Sequence, residues 1–561
     1  MFLPTTRQEM DARGWDQLDV ILVTGDAYID SPFIGVAVIG HVLADVGYRV
    51  GIIAQPDIHS PDDITRLGEP ALFWGVSGGS IDSMVANTTA LGKPRRSDDY
   101  TPGGRNTRRP DRAVIVYTNL IKRYHKWTAP IVLGGVEASL RRVAHYDAWD
   151  DSLRRSILLD AKADYLIYGM AERTVLAFAD ALRFGEDPRR LRGLCYLDHE
   201  PKKGYLALPS FEEVAQDKQA FIDMFHAFYR NNDPRTAQGL TQRYANRYLI
   251  HNPPPPYLTQ DELDDVYALD FERDAHPYYA KQGEIRALET IQFAVNTHRG
   301  CYGECNFCAI GVHEGRTVRW RSPESIEAEV RGFTRHPDFK GIVQDVSAPT
   351  ANMYGFECPK KLRAGACQDR RCLTPDVCPA LPVDHSHHLE LLRRLREVPG
   401  VKKVFVSSGL RHDMLLADEE HGDDYLEEVV RHHVSGQMKV APEHSEEHVL
   451  NAMGKPGPDA LLEFRQRFFD ATEKAGLPQF LTYYIIAAHP GCTAADMHRL
   501  RAFAADELGV IPEQVQIFTP TPSTYSTLMY YAETNPFTGE PIFVEKGFKG
   551  KRRQKRILTG P

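Results

Sequence analysis

The chain has 561 residues, a formal net charge of -9, a mean hydropathy of -0.39, and 42% hydrophobic and 25% charged residues. These values are typical of a globular protein with at least two domains, and they exclude a fibrous or largely disordered chain. No run of about eighteen apolar residues is present and the N-terminus has no apolar signal segment, so we expect neither a membrane span nor secretion.

The first predicted elements form a β-α-β unit. Residues 19–23 are an apolar strand, Gly25 follows as a turn, residues 34–46 have a helical pattern, and residues 49–54 form the next strand. Further buried strands are predicted at 71–76, 113–117, 131–133 and 165–168. This alternation predicts a Rossmann-like, doubly wound α/β domain over residues 1–200. Its ligands would bind beyond the carboxyl ends of the strands.

Two segments are predicted to be less regular. Residues 93–112 contain six arginines and one lysine among prolines and glycines, which favours an exposed, solvated loop. Residues 201–285 contain a polar helical stretch at 211–247 and a run of four prolines at 253–256. Because the proline run is rigid and extended, we expect residues 201–285 to connect two domains.

Strands and helices alternate again from about Thr290, with longer spacing. Candidate strands are 291–295, 341–346, 403–407, 437–441, 480–487 and 514–518. They predict a partial (β/α)6, TIM-like barrel over residues 286–535, with a cysteine-rich insertion at 355–388. Chemistry in such barrels gathers at the carboxyl ends of the strands.

Two polar segments are expected to be solvated. His385, His387 and His388 lie in a polar loop, and residues 536–561 form a basic tail. The tail has too few aromatic residues for base stacking, and the net charge of -9 also argues against a general nucleic-acid surface. Nucleic-acid binding is therefore left open and a solvated tail is favoured.

Three thiols, Cys301, Cys305 and Cys308, crowd together on a glycine-containing loop after the first barrel strand. Three thiolates can bind three irons of a four-iron cluster and leave the fourth iron open. The alternatives are inert buried cysteines, or zinc, which usually takes four ligands. Because seven of the nine cysteines fall between Cys301 and Cys378, we expect reduced thiols and a cytoplasmic protein.

The C-x3-C-x2-C spacing, with Phe307 before the last cysteine, resembles the radical S-adenosylmethionine superfamily. Four flanking strings are similar to the uncharacterised YgiQ-type family, from residue 15 to about residue 545: TGDAY at 24–28, LGGVEASLRR at 133–142, PTANMY at 349–354 and VAPEH at 440–444. The resemblance implies a 4Fe-4S enzyme whose open iron binds S-adenosylmethionine, which an electron cleaves to methionine and a 5'-deoxyadenosyl radical. It does not identify the substrate.

The same resemblance implies roles for further residues and a partner. Phe307 would pack near the adenine of S-adenosylmethionine. Ser347 and Ala348 stand where the family usually has two glycines, and they would meet the methionyl amino group. Glu443 and Lys439, on the fourth strand, would contact ribose or carboxylate groups. An external donor such as flavodoxin or ferredoxin would supply the electron.

The N-terminal domain is similar to the cobalamin-binding module of some radical enzymes. Modules that ligate cobalt use D-x-H-x-x-G after the first strand, whereas this chain has Asp26, Ala27 and Tyr28, and its next glycine is Gly35. Cobalamin is therefore the less favoured interpretation for this domain.

Two alternatives stay open. An iron-sulfur electron-transfer or regulatory protein would bind no S-adenosylmethionine, although such carriers normally close all four iron positions with cysteine. A second metal, iron-sulfur in preference to zinc, could bind the insertion cysteines Cys358, Cys367, Cys372 and Cys378. Without a metal this proline-containing segment would bury little apolar surface.

Overall fold

The computed structural model describes residues 1–560, which divide into two compact units. Unit 1 comprises Met1–Leu258 and Asp265–Gln292, and unit 2 comprises Thr259–Asp264 and the chain from Phe293 onward. Each unit has its own hydrophobic core. The expected boundary at residue 200 differs from this division, because most of the predicted connecting segment belongs to unit 1.

Unit 1 contains thirteen strands and most of the shorter helices. Its strands are β1 (Val20–Thr24), β2 (Ile29–Asp30), β3 (Val50–Ala54), β4 (Phe73–Ser77), β5 (Ile131–Gly134), β6 (His145–Asp147), β7 (Ser152–Arg154), β8 (Tyr165–Ile167), β9 (Leu194–Asp198), β10 (Leu206–Leu208), β11 (Leu240–Tyr244), β12 (Arg247–His251) and β13 (Asp274–Ala275). Its helices are α1 (Arg7–Ala12), α2 (Gly35–Asp45), α3 (Asp62–Thr65), α4 (Ser83–Asn87), α5 (Ala113–Tyr124), α6 (Gly135–Leu140), α7 (Ile157–Ala161), α8 (Glu172–Arg183), α9 (Phe211–Gln216), α10 (Lys218–Arg230), α11 (Gln260–Ala268, shared with unit 2), α12 (Pro277–Ala280) and α13 (Leu288–Ile291).

The main sheet of unit 1 has nine strands in the order β10-β11-β12-β9-β8-β5-β4-β1-β3. The strands β3, β1, β4, β5 and β8 pair in parallel, which is the 2-1-3-4-5 order of flavodoxin-like doubly wound sheets. β1 is apolar and buried at every position, as a parallel strand covered on both faces requires. The predicted doubly wound sheet is therefore present.

One predicted strand of unit 1, residues 113–117, is wrong, because these residues begin the helix α5. Their β-branched side chains favour a strand, but burial follows a helical period: Ala113, Val114, Tyr117, Thr118, Leu120 and Ile121 are buried. Distant side chains stabilise the start of the helix. Ala113 N donates to Ser83 Oγ at 3.0 Å and Val114 N donates to Glu137 Oε1 at 3.3 Å.

The predicted connecting segment adds strands to the sheet of unit 1. The helical pattern at 211–247 ends at Arg230, and β11 and β12 then form an antiparallel hairpin. β12 pairs with β9, so that the hairpin continues the sheet beyond the parallel strands. An otherwise exposed edge of β9 is thereby covered. These residues form strands instead of the expected linker, because the edge of β9 offers backbone N–H and C=O groups with which β12 pairs.

Unit 2 contains nine strands and eleven complete α-helices among its described residues. Its strands are β14 (Ala294–Asn296), β15 (His298–Arg299), β16 (Arg319–Trp320), β17 (Ile342–Val343), β18 (Asp345–Ser347), β19 (Lys403–Val404), β20 (Gln437–Glu443), β21 (Phe480–Ala487) and β22 (Gln514–Ile517). Its helices are α14 (Ile310–His313), α15 (Pro323–Phe333), α16 (Pro359–Ala364), α17 (Ser386–Glu397), α18 (His412–Ala417), α19 (Gly422–Glu428), α20 (Glu447–Met453), α21 (Pro458–Ala475), α22 (Ala494–Phe503), α23 (Tyr525–Ala532) and α24 (Phe548–Thr559). None of the helices within residues 1–560 combines the length and apolarity needed to cross a membrane.

The predicted barrel strands of unit 2 pair in parallel and in chain order. β14 pairs with β18, β17 with β19, β20 with β21, and β21 with β22. A parallel bridge between Leu410 and Val440 links the end of the third strand to β20. The first strand begins at Ala294, later than predicted, because Ile291 ends α13.

Both segments expected to be solvated are largely folded. Of the three histidines only His387 is exposed, whereas His385 and His388 lie on the buried face of α17 or at its start. His385 Nδ1 lies 2.7 Å from Asp418 Oδ2, and His388 Nδ1 lies 3.0 Å from the Tyr425 hydroxyl. Hydrogen-bonding partners from α18 and α19 explain why these polar side chains are buried.

The predicted basic tail contains the amphipathic helix α24. Lys551, Gln554 and Leu558 recur at helical spacing and are buried, whereas Arg552 and Arg553 are exposed. α24 packs against α22, β21 and β22. The sequence shows no apolar stripe along this buried face of α24, because two of its three buried residues are polar.

Candidate metal centre

The three motif cysteines lie on the loop between β15 and β16, which pair as an antiparallel ribbon. Gly300 opens this loop with φ of 80°, and a Cβ at this position would lie 2.5 Å from Thr317 O. Only glycine fits such a turn. Farther along the loop, Asn306 N donates to Met453 O at 2.8 Å, which fixes the middle of the loop to the end of α20.

Hydrogen-bond donors are directed at two of the three sulfur atoms. Gly303 N donates to Cys301 Sγ at 3.3 Å, and Thr350 Oγ1 lies 3.9 Å from the same sulfur. Arg411 Nη1 lies 3.7 Å from Cys305 Sγ. Such donors stabilise thiolates, which are the form of cysteine that binds metal.

Burial of Cys301 and Cys308 disfavours their thiolate forms when no cation is bound. Burial raises the pKa of Cys301 and of Cys308, and the neighbouring Cys305 raises the pKa of both further. A bound cation reverses this effect because it stabilises the thiolates directly. The donor set is soft and grouped, so it fits an iron-sulfur cluster.

Arg411 is the main charged group at this site, and sequence reasoning missed it. Arg411 is 5% exposed, its Nε donates to Asp413 Oδ1 at 2.7 Å, and its backbone N donates to Asn352 Oδ1 at 2.8 Å. Although burial opposes ionisation of Asp413, the guanidinium lowers the pKa of this carboxyl to about 2. The signal that could have found Arg411 is its position just after the end of the third barrel strand.

Phe307, the predicted neighbour of the adenine, packs partly buried against the core of unit 2. Its ring lies edge to face with His489, with ring centroids 6.3 Å apart. Burial lowers the pKa of His489 to about 3, and its Nε2 lies 2.6 Å from Ser526 Oγ. Two uncharged rings therefore lie next to the cysteine loop.

Ser347 and Ala348 lie at the end of the second barrel strand, as expected. Ser347 Oγ donates to Val295 O at 3.2 Å, and Ser347 O accepts from Thr297 N at 2.9 Å. The hydroxyl group is therefore engaged in the contact between the first two strands. Ala348 is half-buried.

Glu443 ends β20 in an unusual backbone conformation. Its φ is 70°, it is 7% exposed, and a β-bulge separates it from Val440. Bulges and positive φ angles often re-aim side chains at functional sites. Burial raises the pKa of Glu443, and the cations of Lys455 and Arg411 oppose this shift. The structure thus brings Glu443 into the electrostatic range of Arg411.

A separate group of possible metal ligands comprises Glu446, His448 and Asp496, whose ligand atoms lie within 4.8 Å of one another. Arg499 forms ion pairs with both Glu446 and Asp496. Because the arginine already neutralises the carboxylates, we assign no metal to this group.

Side chains fill the carboxyl edge of the sheet in unit 1. A Cβ on Gly25 would lie 2.1 Å from Gly78 O. Arg109 is 4% exposed and forms ion pairs with Asp26 at 2.7 Å and with Asp98 at 3.1 Å. The arginine-rich segment predicted to be solvated therefore contributes a buried ion pair, because the carboxylates at the strand ends attract it.

Comparisons with known proteins agree with this architecture. A family model described as Radical SAM N-terminal matches residues 2–294. A UPF0313 protein of Fusobacterium nucleatum is 55% identical over 559 residues, which are 100% of this chain and 98% of that protein. A UPF0313 protein of Thermotoga maritima is 48% identical over 559 residues, covering 99% of this chain and 98% of that protein.

Two solved structures share the fold at low sequence identity. The radical S-adenosylmethionine methyltransferase TsrM from Kitasatospora setae, with cobalamin and a 4Fe-4S cluster bound, has a TM-score of 0.50 and 14% identity, over 90% of this chain and 76% of that one. The cobalamin-dependent S-adenosylmethionine radical enzyme OxsB has a TM-score of 0.50 and 11% identity, over 94% and 57% of the two chains. These likenesses confirm the predicted fold class of a cobalamin-binding-like domain followed by a TIM-like barrel.

Proposed function

Because this chain belongs to the UPF0313 family of YgiQ-type radical S-adenosylmethionine enzymes, we propose that Cys301, Cys305 and Cys308 hold its 4Fe-4S cluster and leave one iron open. With the cluster bound, the enzyme reductively cleaves S-adenosylmethionine to methionine and a 5'-deoxyadenosyl radical. The substrate that this radical attacks is unknown.

The contacts at the sulfur atoms are the observation that supports this ligand assignment. Gly303 N donates to Cys301 Sγ and the Arg411 guanidinium lies beside Cys305 Sγ. The segment between β15 and β16 contains no fourth cysteine, so the loop provides three thiolates and no more. Three ligands are the number that leaves one iron available.

Arg411 adjusts the charge at the site in this proposal. A buried guanidinium offsets the negative charge of thiolates and of an electron added to the cluster. Asp413 holds the guanidinium in place through Nε, and Asn352 holds its backbone. Arg411 is therefore a positioning and tuning residue and not a ligand.

We propose that four residues predicted from the sequence contact S-adenosylmethionine. Phe307 has a ring surface next to the cysteine loop that suits adenine. Glu443 offers a carboxylate that would accept hydrogen bonds from ribose hydroxyls. Because the Ser347 hydroxyl is engaged by Val295, backbone groups at Ser347 and Ala348 would meet the methionyl amino group.

The residues of unit 1 do not fit cobalamin. Arg109 and its carboxylate partners occupy the carboxyl edge of the sheet, where a doubly wound domain binds its ligand. Tyr28 stands at the position of the usual histidine ligand, and its hydroxyl donates to Asp30 Oδ1 at 2.9 Å. We therefore derive no reaction step through cobalamin.

We also propose a cytoplasmic location and an external electron donor of the flavodoxin or ferredoxin class. The nine cysteines are free in the structure, which suits a reducing compartment. Reductive cleavage of S-adenosylmethionine consumes one electron, and flavodoxins and ferredoxins are proteins that donate single electrons.

The test is to incubate anaerobically reconstituted, dithionite-reduced protein with S-adenosylmethionine and to measure 5'-deoxyadenosine by chromatography. We expect product from wild-type protein and none from Cys305→Ala. Cys195→Ala, which removes a buried thiol of unit 1, is the matched control and should retain the product. An intact cluster that forms no 5'-deoxyadenosine would instead favour the electron-transfer alternative.

A further inference from the structure

The insertion at residues 355–388 has little regular structure. Its elements are the short helix α16 and the first turn of α17, and residues 365–385 form neither helix nor strand. A loop of this length inside a compact unit is uncommon unless a function or a ligand orders it. The insertion also contains four cysteines that the cluster loop does not use.

Three of these four thiols share one buried environment. Cys358 and Cys372 are 4% and 6% exposed, and both belong to a hydrophobic cluster built around Tyr302. Cys378 packs against the same cluster, as does Cys301 of the first site. Cys378 N donates to Cys372 O at 2.7 Å, so these two residues are adjacent in space as well.

Cys367 completes the group through a shared neighbour. The Lys360 side chain is hydrogen-bonded to Cys367 and lies near Cys378. Cys358 is tied to the far end of the insertion, since its Sγ donates to Ala380 O at 3.8 Å. Cys367 thus shares a neighbour with Cys378, and Cys358 contacts the stretch that follows Cys378.

A buried cation, Lys361, lies beside the ring of Tyr302 in the same cluster. Lys361 is 3% exposed, its Nζ donates to Arg316 O at 2.6 Å, and it lies 5.3 Å from the centroid of the Tyr302 ring. Within residues 1–560 no carboxylate forms an ion pair with Lys361, although a buried ammonium group normally needs one. The Lys361 side chain is hydrogen-bonded to Cys372, and a metal-bound thiolate at this position would supply the missing negative charge.

The spacing of the sulfur atoms favours a cluster over a single ion. Zinc, with Zn–S bonds of about 2.3 Å, would hold its tetrahedral sulfurs about 3.8 Å apart. In the part of the chain that the structure describes, no three of these thiols lie within 4.8 Å of one another. The same holds for Cys301, Cys305 and Cys308. A polynuclear iron-sulfur cluster accommodates a wider set of ligands.

We propose that Cys358, Cys367, Cys372 and Cys378 bind a second iron-sulfur cluster, closed by four cysteine ligands. Each iron of such a cluster would have a cysteine ligand, so none would be available to bind S-adenosylmethionine. The role left to a closed cluster is electron transfer. It would also hold together an insertion in which residues 365–385 form neither helix nor strand. This site is independent of the ligand assignment proposed for the first cluster.

The test is metal and sulfide analysis of anaerobically reconstituted variants. The Cys301→Ala, Cys305→Ala, Cys308→Ala triple variant should retain about four irons and four sulfides per chain, against about eight of each in wild-type protein. Cys367→Ala with Cys372→Ala should lower the wild-type content to about four. Cys492→Ala removes another buried thiol of unit 2 and should keep the full content.

Two further measurements keep the result decisive. Circular dichroism of the triple variant checks that it is folded, and Mössbauer spectra of wild-type protein count the clusters without any substitution. The proposal is overturned if the folded Cys301→Ala, Cys305→Ala, Cys308→Ala variant holds no iron, or if the insertion cysteines bind zinc. Because the readout is metal content, it stands whether or not 5'-deoxyadenosine is formed.

Discussion

Arg411 determines the electrostatics at Cys305. It is 5% exposed, and its guanidinium lies between the thiol and the carboxylate of Asp413. A cation in this position would stabilise a reduced, more negative form of the cluster proposed here, because hydrogen bonds and charge at the sulfur atoms set the reduction potential of such clusters. Its removal should therefore make reduction harder.

We predict that Arg411→Met lowers the reduction potential of the cluster by on the order of 60 mV, which is about a tenfold change in the one-electron equilibrium. The variant also carries Asp413→Asn, because Asp413 alone would be a buried carboxylate without a partner. Arg411→Lys should give a smaller decrease because it keeps the charge. Potentiometric titration followed by electron paramagnetic resonance provides the measurement. Arg431→Met, at an arginine with a half-exposed side chain in the same unit, is the control. An unchanged potential in the Arg411 variants would contradict the assignment.

His412 gives a pH dependence to the stability of unit 2. Burial lowers its pKa to about 4, in spite of the neighbouring Asp413, and it is 2% exposed. The unfolded chain, with a histidine pKa of about 6.5, binds the proton more readily than the folded protein does. The stability conferred by neutral His412 is thus complete above pH 6.5 and decreases as the pH falls toward 4.

We expect His412→Gln to flatten the pH dependence of stability between pH 6.5 and 4.5 by up to about 1.4 kcal/mol per pH unit. Urea unfolding midpoints measured at several pH values provide the slope. His498→Gln, at an exposed histidine of α22, should leave the slope unchanged. Equal slopes in wild-type protein and His412→Gln would show that another group is responsible.

At the scale of elements, local patterns identified most strands and the cysteine loop. The strand 20–24 is uniformly apolar, and the three cysteines lie within one short loop, so both are readable without the fold. α5 was mistaken for a strand because its start is fixed by Ser83 and Glu137, which are distant in sequence. Arg411 and Lys455 were not predicted as site residues for the same reason. They belong to other loops and come near Cys305 and Glu443 only in the folded chain.

The cysteine loop depends on the backbone conformation of Gly300. Alanine at this position would adopt a strained positive φ and would also collide with Thr317 O. We predict that Gly300→Ala lowers cluster occupancy by more than half, measured as iron per chain after reconstitution. Gly476→Ala also has a positive φ, but nothing lies within 4 Å of its added Cβ, so it should lose about 1 kcal/mol of stability and no iron. Full occupancy in Gly300→Ala would show that the loop can rearrange.

The helix α24 should stabilise unit 2 through its buried face. Leu558 is fully buried, and Gln554 accepts from Ala488 N at 2.9 Å and donates to Cys492 O at 2.9 Å. We expect Leu558→Ala to reduce the free energy of unfolding by about 2–5 kcal/mol. Arg553→Ala, on the exposed face, should change it by less than about 0.5 kcal/mol. Similar melting temperatures for the two variants would mean that α24 is not part of the core.

At the scale of the whole molecule, unit 1 is built from two separate stretches of chain. The second stretch, Asp265–Gln292, provides β13 and Tyr279, whose hydroxyl accepts from Ala54 N at 2.8 Å and lies 3.1 Å from Thr5 Oγ1. Both bonds join the later stretch to the core of the earlier one. A fragment that ends at the first boundary would lack them.

We predict that a fragment of residues 1–292 unfolds cooperatively, whereas a fragment of residues 1–258 does not. The shorter fragment exposes the apolar surface that Tyr279 and Ile285 cover and leaves the groups bonded to Tyr279 without a partner. Differential scanning calorimetry of the two fragments distinguishes them. A fragment of residues 1–275, which includes β13 but not Tyr279, should resemble the shorter one. Two equally cooperative transitions for 1–258 and 1–292 would refute the role of the second stretch.

The return of the chain to unit 1 also sets an order of events during translation. Unit 1 is complete only when Gln292 has been synthesised, and Cys301 follows nine positions later. Domains generally fold in the order in which a ribosome releases them. The N-terminal unit therefore has all of its residues before Cys301, Cys305 or Cys308 is synthesised, and it can begin to fold before any of these three thiols is available to a metal.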